Sequence, residues 1–307
     1  MPTAPLMIQN GRIVPYAECR LHGFSGAVKY GCGVFEGLRA YWNESQRQLW
    51  VFRLDEHLAR LAFGIRVLRL EGAPPLEAIG RGVLEMLRAN QLRETCHVRV
   101  IVHLDGDDEL SARGPVGWMA GAVPRGSSRF VETGMHVKVT SWARIADAAL
   151  PARVKATGNY LNNRAAELEA KRDGYDGALL LTAEGKLSEA SGACLMLVRE
   201  GKLVTPSITS DILESITRAT LIELARDAGI EVVERAVDRS ELWAAEEVLA
   251  CGSGWEVVPI VSVDRLSVGD GRPGPVTRAL QEAYFATVRG ERPERRAWLT
   301  PVWPERT

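Results

Sequence analysis

The chain has 307 residues, of which 46% are hydrophobic and 25% are charged, and its net charge is -1. This length favours two domains over one, and the composition is typical of a globular protein. No cluster of lysine and arginine suggests a nucleic-acid surface, no apolar run approaches the roughly 20 residues of a membrane span, and the N-terminus lacks the pattern of a signal peptide.

Two helices and a strand are predicted in the first part of the chain. Residues 55–70 have apolar side chains at helical spacing. Residues 75–92 form a second helix, with proline near its start, where the missing N–H costs nothing. The β-branched run at residues 98–104 predicts a strand.

Residues 122–134 are rich in proline, glycine and serine and show no periodicity, which is typical of an interdomain linker. We therefore expect an N-terminal domain over residues 1–122, a linker over residues 123–133 and a C-terminal domain over residues 134–307. Small molecules tend to bind in the cleft between two such domains.

The second part of the chain alternates between helices and short apolar strands. Helices are predicted at residues 159–172, 216–228 and 275–289. Strands are predicted at residues 178–181, 194–198 and 247–250. The first two of these strands are expected to be joined through a turn that contains glycine. The mixture predicts an α/β or α+β fold.

Five cysteines are widely spaced along the chain: Cys19, Cys32, Cys96, Cys194 and Cys251. Their number is odd, and no two form a C-x-x-C pair. The pattern predicts neither a disulfide framework nor a zinc or other metal site. A reducing cytoplasm is the simplest location for such a chain.

Two ionisable residues stand out in the second part of the chain. Lys155 follows an apolar segment and precedes a predicted helix. A buried lysine is stable only if its pKa falls or it bonds covalently, for example to a carbonyl cofactor. Glu189 lies between a turn and an apolar strand, where a carboxylate can pair with the pyridinium nitrogen of pyridoxal phosphate. An exposed lysine in a turn and a solvated glutamate at a strand edge would give the same local patterns.

Three further segments could bind an anion. Ser215 is a suitable N-cap for the helix that begins at Ile216, and the free amides of Ile216 and Thr217 would point toward an anion. Arg53 precedes a helix and Ser253 lies in a turn flanked by glycines, and both positions suit phosphate. A plain capped helix, a surface arginine and an ordinary loop remain alternatives for these segments taken singly.

The order of these segments along the chain indicates a protein family more specifically than any single segment does. They lie within the blocks YGCGVFEGLRAY (residues 30–41), VFRLDEHLARL, VKATGNYLNN, LSEASGACL, ILESITR, CGSGWEVVPI and GDGRPGPVT. With these blocks, the sequence resembles the class IV aminotransferases, particularly the branched-chain amino acid aminotransferases, over nearly the whole chain.

The resemblance implies a fold, a cofactor and an assembly. Such proteins have fold type IV, a two-domain α/β (α+β) architecture. Their pyridoxal 5'-phosphate lies in the cleft between a small N-terminal and a larger C-terminal domain. The working unit is a homodimer or higher homo-oligomer in which a loop of the partner helps to close the site. The partners are amino acid and 2-oxo acid substrates, with no nucleic acid and no membrane.

The resemblance also implies roles for individual residues. Lys155 corresponds to the catalytic lysine that holds the cofactor covalently, Tyr160 to the tyrosine at its phenolic oxygen and Glu189 to the partner of its pyridine nitrogen. The residues of the phosphate cup correspond to Arg53, Ile216, Thr217 and Ser253. The residues of the substrate pocket correspond to Tyr30, Phe35, Arg39, His97, Arg99, Gly254 and Trp255.

The alternation of side chains along the predicted strand that contains Arg99 bears on the choice of substrate. His97 and Arg99 are two residues apart in a strand, so their side chains share a face, and Val98 points to the other. If the shared face lines the pocket, the guanidinium of Arg99 can bind a second carboxylate, as 2-oxoglutarate requires.

The chain departs from the family pattern at several positions. Cys194 replaces an asparagine, Met196 an aromatic residue, Glu214 and Ser215 a Pro-Gly pair, Ser253 a threonine, His97 a tyrosine and Trp255 a small residue. The changes at His97 and Trp255 bear on substrate choice. Cys194 alters whatever polar contact the asparagine makes.

We predict transamination between a branched-chain or related hydrophobic L-amino acid and 2-oxoglutarate. The alternatives on the same fold are a D-amino acid or (R)-amine aminotransferase and, further away, an aminodeoxychorismate lyase. The block at residues 30–41 and the His-x-Arg pair favour the branched-chain type. A non-catalytic binding protein would be expected to have lost part of the residue set, whereas lysine, tyrosine, glutamate and phosphate arginine are all present.

Overall fold

The computed structural model describes residues 3–106 and 109–304, and the chain forms two compact units. Of the described residues, the first unit comprises those up to Gly126, residues 154–158 and those from Ala286 onward. The second unit comprises Ser127–Arg153 and Asn159–Phe285. The boundary after Gly126 falls inside the predicted linker, and the stretch predicted as the C-terminal domain contains segments of both units.

An antiparallel sheet forms the framework of the first unit. Within the described residues its seven strands are β1 (Leu6–Gln9), β2 (Arg12–Pro15), β3 (Gly33–Asn43), β4 (Gln48–Phe52), β5 (Cys96–Leu104), β6 (Val116–Pro124) and β16 (Leu299–Pro301). Their order across the sheet is β16-β4-β3-β5-β6-β1-β2. The central strand is β5, flanked by β3 and β6.

Helices cover one face of this sheet. They are α2 (Leu54–Val67) and α3 (Leu76–Ala89), with a short α1 (Gly26–Tyr30) beside β5. Apolar residues at helical spacing, such as Ile79, Val83 and Met86 of α3, are fully buried in the core. The structure thereby confirms the two helices and the strand predicted in this part of the chain.

A mixed sheet forms the framework of the second unit. Within the described residues its nine strands are β7 (Met135–Ala143), β8 (Gly177–Leu181), β9 (Leu187–Ala190), β10 (Cys194–Arg199), β11 (Lys202–Pro206), β12 (Val232–Arg235), β13 (Glu247–Gly252), β14 (Glu256–Val263) and β15 (Leu266–Ser267). The order is β12-β11-β10-β13-β14-β7-β8-β9, with β15 paired to β14. The pairs β11 with β12, β7 with β14 and β7 with β8 are parallel.

The helices of this unit are α4 (Phe130–Thr133), α5 (Tyr160–Arg172), α6 (Ile216–Asp227), α7 (Glu241–Ala244) and α8 (Pro275–Val288), the last of which continues into the first unit. The predicted helices at residues 159–172, 216–228 and 275–289 are thus confirmed to within two residues at each end. The mixed α/β class is confirmed as well.

One connection in the second unit differs from the prediction. The strands β8 and β10 are not joined by a simple turn, because β9 lies between them in the chain and pairs antiparallel with β8. The sequence of β9, Leu187 to Ala190, is buried at all four positions. A strand buried on both faces lacks the alternation of apolar and polar residues by which a strand is recognised.

Candidate active site

Lys155 is held in the first unit through its own backbone. Its carbonyl accepts a hydrogen bond of 2.9 Å from the amide of Phe35, and the amide of Thr157 donates to the carbonyl of Gly33 at 2.9 Å. Residues 154–158 therefore run antiparallel to the start of β3. The ammonium of Lys155 lies 4.8 Å from the centroid of the Phe35 ring. The fold thus fixes the backbone of Lys155 and leaves its side chain partly exposed beside an aromatic ring.

Arg99 reaches the same ring from β5. Its guanidinium carbon lies 4.9 Å from the centroid of Phe35. His97, Arg99 and Ile101 all line one cavity of about 270 Å³, whereas Val98 is buried in the core. The predicted alternation along this strand is therefore confirmed, and the face that carries Arg99 does line a cavity.

His97 is electrically neutral in this cavity. Burial, together with the positive charges of Arg99, Arg39 and Arg125, lowers the pKa of His97 to about 3. Arg39 is buried, pairs in register with His97 and donates a hydrogen bond of 3.1 Å to the carbonyl of Arg125. A neutral imidazole can exchange hydrogen bonds with a ligand without adding to the positive charge.

Tyr30, like Phe35 and Arg39, is not among the residues that line the cavity beside Arg99. Tyr30 is the last residue of α1 and is 45% exposed. The ammonium of Lys29 lies 5.1 Å from the centroid of its ring. The structure of a single chain therefore gives Tyr30 no contact with that cavity.

Arg53 lies where the sequence places it, between the end of β4 and the start of α2. It has left-handed backbone geometry (φ 50°), and its amide donates a hydrogen bond of 2.7 Å to the carbonyl of Trp298. Its guanidinium stacks on the Trp298 ring at 4.7 Å and pairs with Glu56 at 2.7 Å. The C-terminal part of the chain thus fixes both the backbone and the side chain of Arg53.

A buried charged cluster next to Arg53 had no counterpart in the sequence prediction. The carboxylate of Glu36 on β3 accepts hydrogen bonds from Arg60 and contacts His57 at 2.6 Å, both on α2. Although burial opposes it, the positive charge of Arg60 and the contact with His57 bring the pKa of Glu36 well below its ordinary value. The amide of His57 also donates to the carbonyl of Arg53, so this cluster supports the start of α2.

Glu189 is the fixed negative charge of the second unit. It lies on β9, is 5% exposed, and forms an ion pair of 2.9 Å with Arg144. Its other carboxylate oxygen accepts a hydrogen bond of 3.0 Å from the amide of Leu213. Arg144 in turn donates to the side chain of Asn163 at 3.0 Å. These contacts favour the charged form of the carboxylate.

Arg144 is a residue that the sequence analysis missed. Its only local sign is an arginine directly after a strand, and it is buried to 4% exposure. A buried guanidinium needs a carboxylate partner, which Glu189 supplies. Cys194, which stands in place of the family's asparagine, donates its thiol to the carbonyl of Leu213 at 3.3 Å and lies 3.9 Å from the Glu189 carboxylate.

The N-terminus of α6 has the predicted geometry. The hydroxyl of Ser215 accepts a hydrogen bond from the amide of Arg218 at 3.2 Å, which is an N-cap. The amides of Ile216 and Thr217 belong to the first turn, where a helix has no carbonyl partner for them. Tyr160 likewise begins α5, with Asn159 as its N-cap residue.

The turn between β13 and β14 contains the remaining predicted residues, Ser253, Gly254 and Trp255. The indole of Trp255 packs over Gly192 and Gly177, because a Cβ added at these glycines would lie 2.9 Å and 3.1 Å from it. The large residue at this position is therefore accommodated by two glycines of the same unit.

Comparison with known proteins decides the family. The family model for class IV amino-transferases matches residues 33–263. The chain belongs to the class IV aminotransferases. A relative in Aquifex aeolicus, named "Probable branched-chain-amino-acid aminotransferase", is 37% identical over 303 residues, which cover 96% of each chain.

Solved structures of class IV aminotransferases are also similar over almost the whole chain. The branched-chain aminotransferase from Thermoproteus uzoniensis with norvaline has a TM-score of 0.94 and 37% identity, with 98% of this chain and 100% of the other covered. The branched-chain amino acid aminotransferase from Thermobaculum terrenum, in its PLP-form (holo-form), has a TM-score of 0.91 and 38% identity, with 98% and 99% covered.

The side chains of this class IV aminotransferase fit pyridoxal 5'-phosphate chemically. The amine of Lys155 suits a covalent bond to a carbonyl. The carboxylate of Glu189, kept charged by Arg144, suits a protonated pyridine nitrogen. The guanidinium of Arg53 and the first-turn amides of α6 suit a phosphate. The cofactor of such an enzyme is pyridoxal 5'-phosphate.

In the described part of the chain, no helix combines the length and the hydropathy that a membrane-spanning segment needs. Residues 3–106 and 109–304 also contain no group of three or more His, Cys, Asp or Glu side chains that could hold a metal ion.

Proposed function

We propose that this enzyme transfers the amino group of a branched-chain or related hydrophobic L-amino acid to 2-oxoglutarate. The observation that carries the proposal is the arrangement around Phe35, whose ring has the Lys155 ammonium at 4.8 Å and the Arg99 guanidinium at 4.9 Å. A reactive amine and a carboxylate-binding group thus approach the same aromatic ring. The names of the relatives, which are branched-chain aminotransferases, support the substrate class.

The apolar part of the cavity suits the proposed amino donor. Apolar side chains of Met7, Ile101, Met119 and Val123 line it together with Arg99. An aliphatic substrate side chain can pack against these four apolar side chains, and the distal carboxylate of glutamate can bind the guanidinium of Arg99. Tyr30, Gly254 and Trp255 stay predicted substrate contacts.

The residues have separate tasks in the proposed reaction. When bound, pyridoxal 5'-phosphate supplies the electron sink for the bond that breaks at the substrate α-carbon. The amine of Lys155 would hold the cofactor covalently and, when free, would accept the proton from the substrate α-carbon and return it as a general acid. The carboxylate of Glu189 would keep a proton on the pyridine nitrogen, and the hydroxyl of Tyr160 would donate to the phenolic oxygen.

The phosphate is proposed to bind to the guanidinium of Arg53, the amides of Ile216 and Thr217 and the hydroxyl of Ser253. The first-turn position of the two amides supports this assignment, because a helix N-terminus attracts an anion. The αL backbone of Arg53 and its stacking on Trp298 hold the guanidinium in one place.

We further propose a homodimer or higher homo-oligomer that works in the cytoplasm. Exposed apolar side chains follow one another along the first part of the chain: Ile13, Tyr16, Leu21, Phe24, Val28 and Tyr30. Such residues are typical of an interface between subunits. All five cysteines are free thiols, which suits a reducing compartment. Sedimentation of the holoenzyme measures the assembly directly.

The test of the reaction uses two measurements on the purified holoenzyme. Borohydride reduction followed by peptide mapping should place the cofactor on Lys155, and an adduct on Lys138 or Lys171 instead would overturn the site. Half-reaction spectra should change rapidly with L-leucine and L-glutamate. Rapid changes with D-alanine or (R)-1-phenylethylamine, and none with L-leucine, would overturn the substrate class.

A further inference from the structure

The cavity of the first unit is shaped by a row of residues across the sheet. Gly37 of β3, Arg99 of β5 and Gly121 of β6 are register partners. Side chains of registered residues lie side by side on one face, so Arg99 has a glycine on each side. Arg99 therefore has no side chain of a register partner on either side of it.

Neighbouring side chains lean over these two glycines. A Cβ added at Gly37 would lie 2.9 Å from Nε2 of His97, and one added at Gly121 would lie 3.0 Å from Cε of Met7. The first distance is shorter than real Cβ contacts, and the second is tighter than most of them. The side chains of His97 and Met7 thus pack closely over the two glycines.

A second arginine lines the cavity from the end of β6. Arg125 follows Pro124, the last residue of that strand, and its side chain lines the same cavity as His97 and Arg99. Its backbone is held on both sides, because its amide donates to the carbonyl of Thr95 at 3.0 Å and its carbonyl accepts from Arg39 at 3.1 Å. The guanidinium is therefore presented by a fixed segment.

The charges of the cavity are all positive. Its lining residues include two arginines and no aspartate or glutamate. Within residues 3–106 and 109–304, no carboxylate forms an ion pair with the guanidinium of Arg99 or Arg125. His97 is neutral, because burial and the positive charges of Arg99, Arg39 and Arg125 lower its pKa to about 3. Two guanidiniums that lack a protein carboxylate are matched in charge by a carboxylate of the ligand.

We propose that Arg125 is a specificity-determining residue that binds the distal carboxylate of dicarboxylate substrates together with Arg99. The proposal rests on the proposed function, since it places the substrate side chain in this cavity. Arg99 contacts the ring of Phe35, which Lys155 also contacts, so it binds from the side nearer the reacting amine. Arg125 binds from the segment that directly follows β6.

The apolar lining gives the same cavity a second use. Met7, Ile101, Met119 and Val123 can pack against an aliphatic side chain, which needs neither arginine. Loss of the Arg125 side chain should therefore weaken the binding of acidic substrates and leave the binding of aliphatic substrates nearly unchanged. This separation distinguishes a carboxylate contact from a general structural role.

The test compares two unreactive ligands of the holoenzyme. Inhibition constants are measured for glutarate, which has two carboxylates, and for 4-methylvalerate, which has one carboxylate and an aliphatic chain. In Arg125→Leu we expect glutarate to bind about 10- to 100-fold more weakly, as for loss of a hydrogen bond to a charged group. Binding of 4-methylvalerate should change by less than about twofold, within the scatter of a surface substitution.

Three further variants make the result decisive. Arg125→Lys keeps the charge and should recover part of the glutarate affinity. Arg93→Leu removes an exposed arginine of the same unit outside this cavity and should change neither constant. Arg99→Leu should weaken glutarate more than 4-methylvalerate. If it does not, the proposed carboxylate site itself is wrong.

Two outcomes would overturn the role of Arg125. Equal weakening of both ligands in Arg125→Leu would show that the residue only supports the cavity. Unchanged glutarate binding in Arg125→Leu, together with a strong loss in Arg99→Leu, would show that Arg99 acts alone and that the proposed reaction stands without a second arginine.

Discussion

The first unit holds Lys155 through its backbone, whereas the second unit holds Glu189 through its side chain. The carbonyl of Lys155 is bonded to the amide of Phe35, and its ammonium lies against an aromatic ring. The carboxylate of Glu189 is buried and bonded to Arg144 and to the amide of Leu213. A group that must make and break a covalent bond needs freedom in its side chain. A group that must keep a constant charge needs fixed partners.

The largest effect is expected at Lys155. Lys155→Ala should lower the rate of the half-reaction with L-leucine by about 1000-fold or more, because it removes both the covalent attachment and the proton carrier. Thermal unfolding should change little, since the backbone bonds remain. Lys138→Ala is the matched control, because Lys138 is a lysine of the second unit paired with Glu169 and Asp173. Comparable activity in Lys155→Ala and the control would remove Lys155 from the mechanism.

Arg144 tests whether Glu189 is held by its side chain. Arg144→Ala leaves a buried carboxylate without its partner and should lower the free energy of unfolding by about 3–5 kcal/mol, measured by denaturant titration of the cofactor-free protein. In the background of Glu189→Gln the same substitution should cost much less. Additive losses in this double-mutant cycle would show that the two side chains are not coupled.

Glu189 tests the need for a constant charge. Glu189→Gln should retain the cofactor and lower the half-reaction rate about 100-fold, since the amide cannot keep a proton on the pyridine nitrogen. Glu167→Gln serves as control, because Glu167 is another carboxylate of the second unit, bonded to Ser191. Full activity of Glu189→Gln in single-turnover spectra would show that Glu189 is not the nitrogen's partner.

The smallest effect is expected at Trp298. Its ring stacks on the guanidinium of Arg53, so a variant at this position tests a third way of holding a side chain in place. Trp298→Leu keeps much of the volume but removes the ring on which Arg53 stacks, and should weaken cofactor binding about 3- to 10-fold. This weakening is measured as a change in the equilibrium dissociation constant of pyridoxal 5'-phosphate. Trp243→Leu removes a tryptophan that stacks on Arg239 in the second unit and should leave this constant unchanged. Equal effects of the two variants would contradict a positioning role for Trp298.

The sequence by itself determined the five long helices, four of the strands and the family. Helical spacing of apolar residues predicts α2, α3 and α6, and the hydroxyl of Ser215 before Ile216 predicts the cap that the structure contains. Strict alternation places His97 and Arg99 on one face. These features are local, because each depends on residues within one or two turns of a helix or along a single strand. The order of the motif blocks carries the family and hence the cofactor.

Only the tertiary structure decided which distant side chains meet. The pair of Arg144 and Glu189 and the stacking of Arg53 on Trp298 join residues far apart in the chain. Such contacts leave no periodic pattern in the sequence. For the same reason, the sequence did not predict that the chain from Ala286 onward belongs to the first unit. The physical cause is the number of positions at which each feature limits the choice of amino acid. A single side-chain contact across the fold limits that choice at only two positions. A buried helix face or strand limits it every few residues along its length and so leaves a periodic pattern.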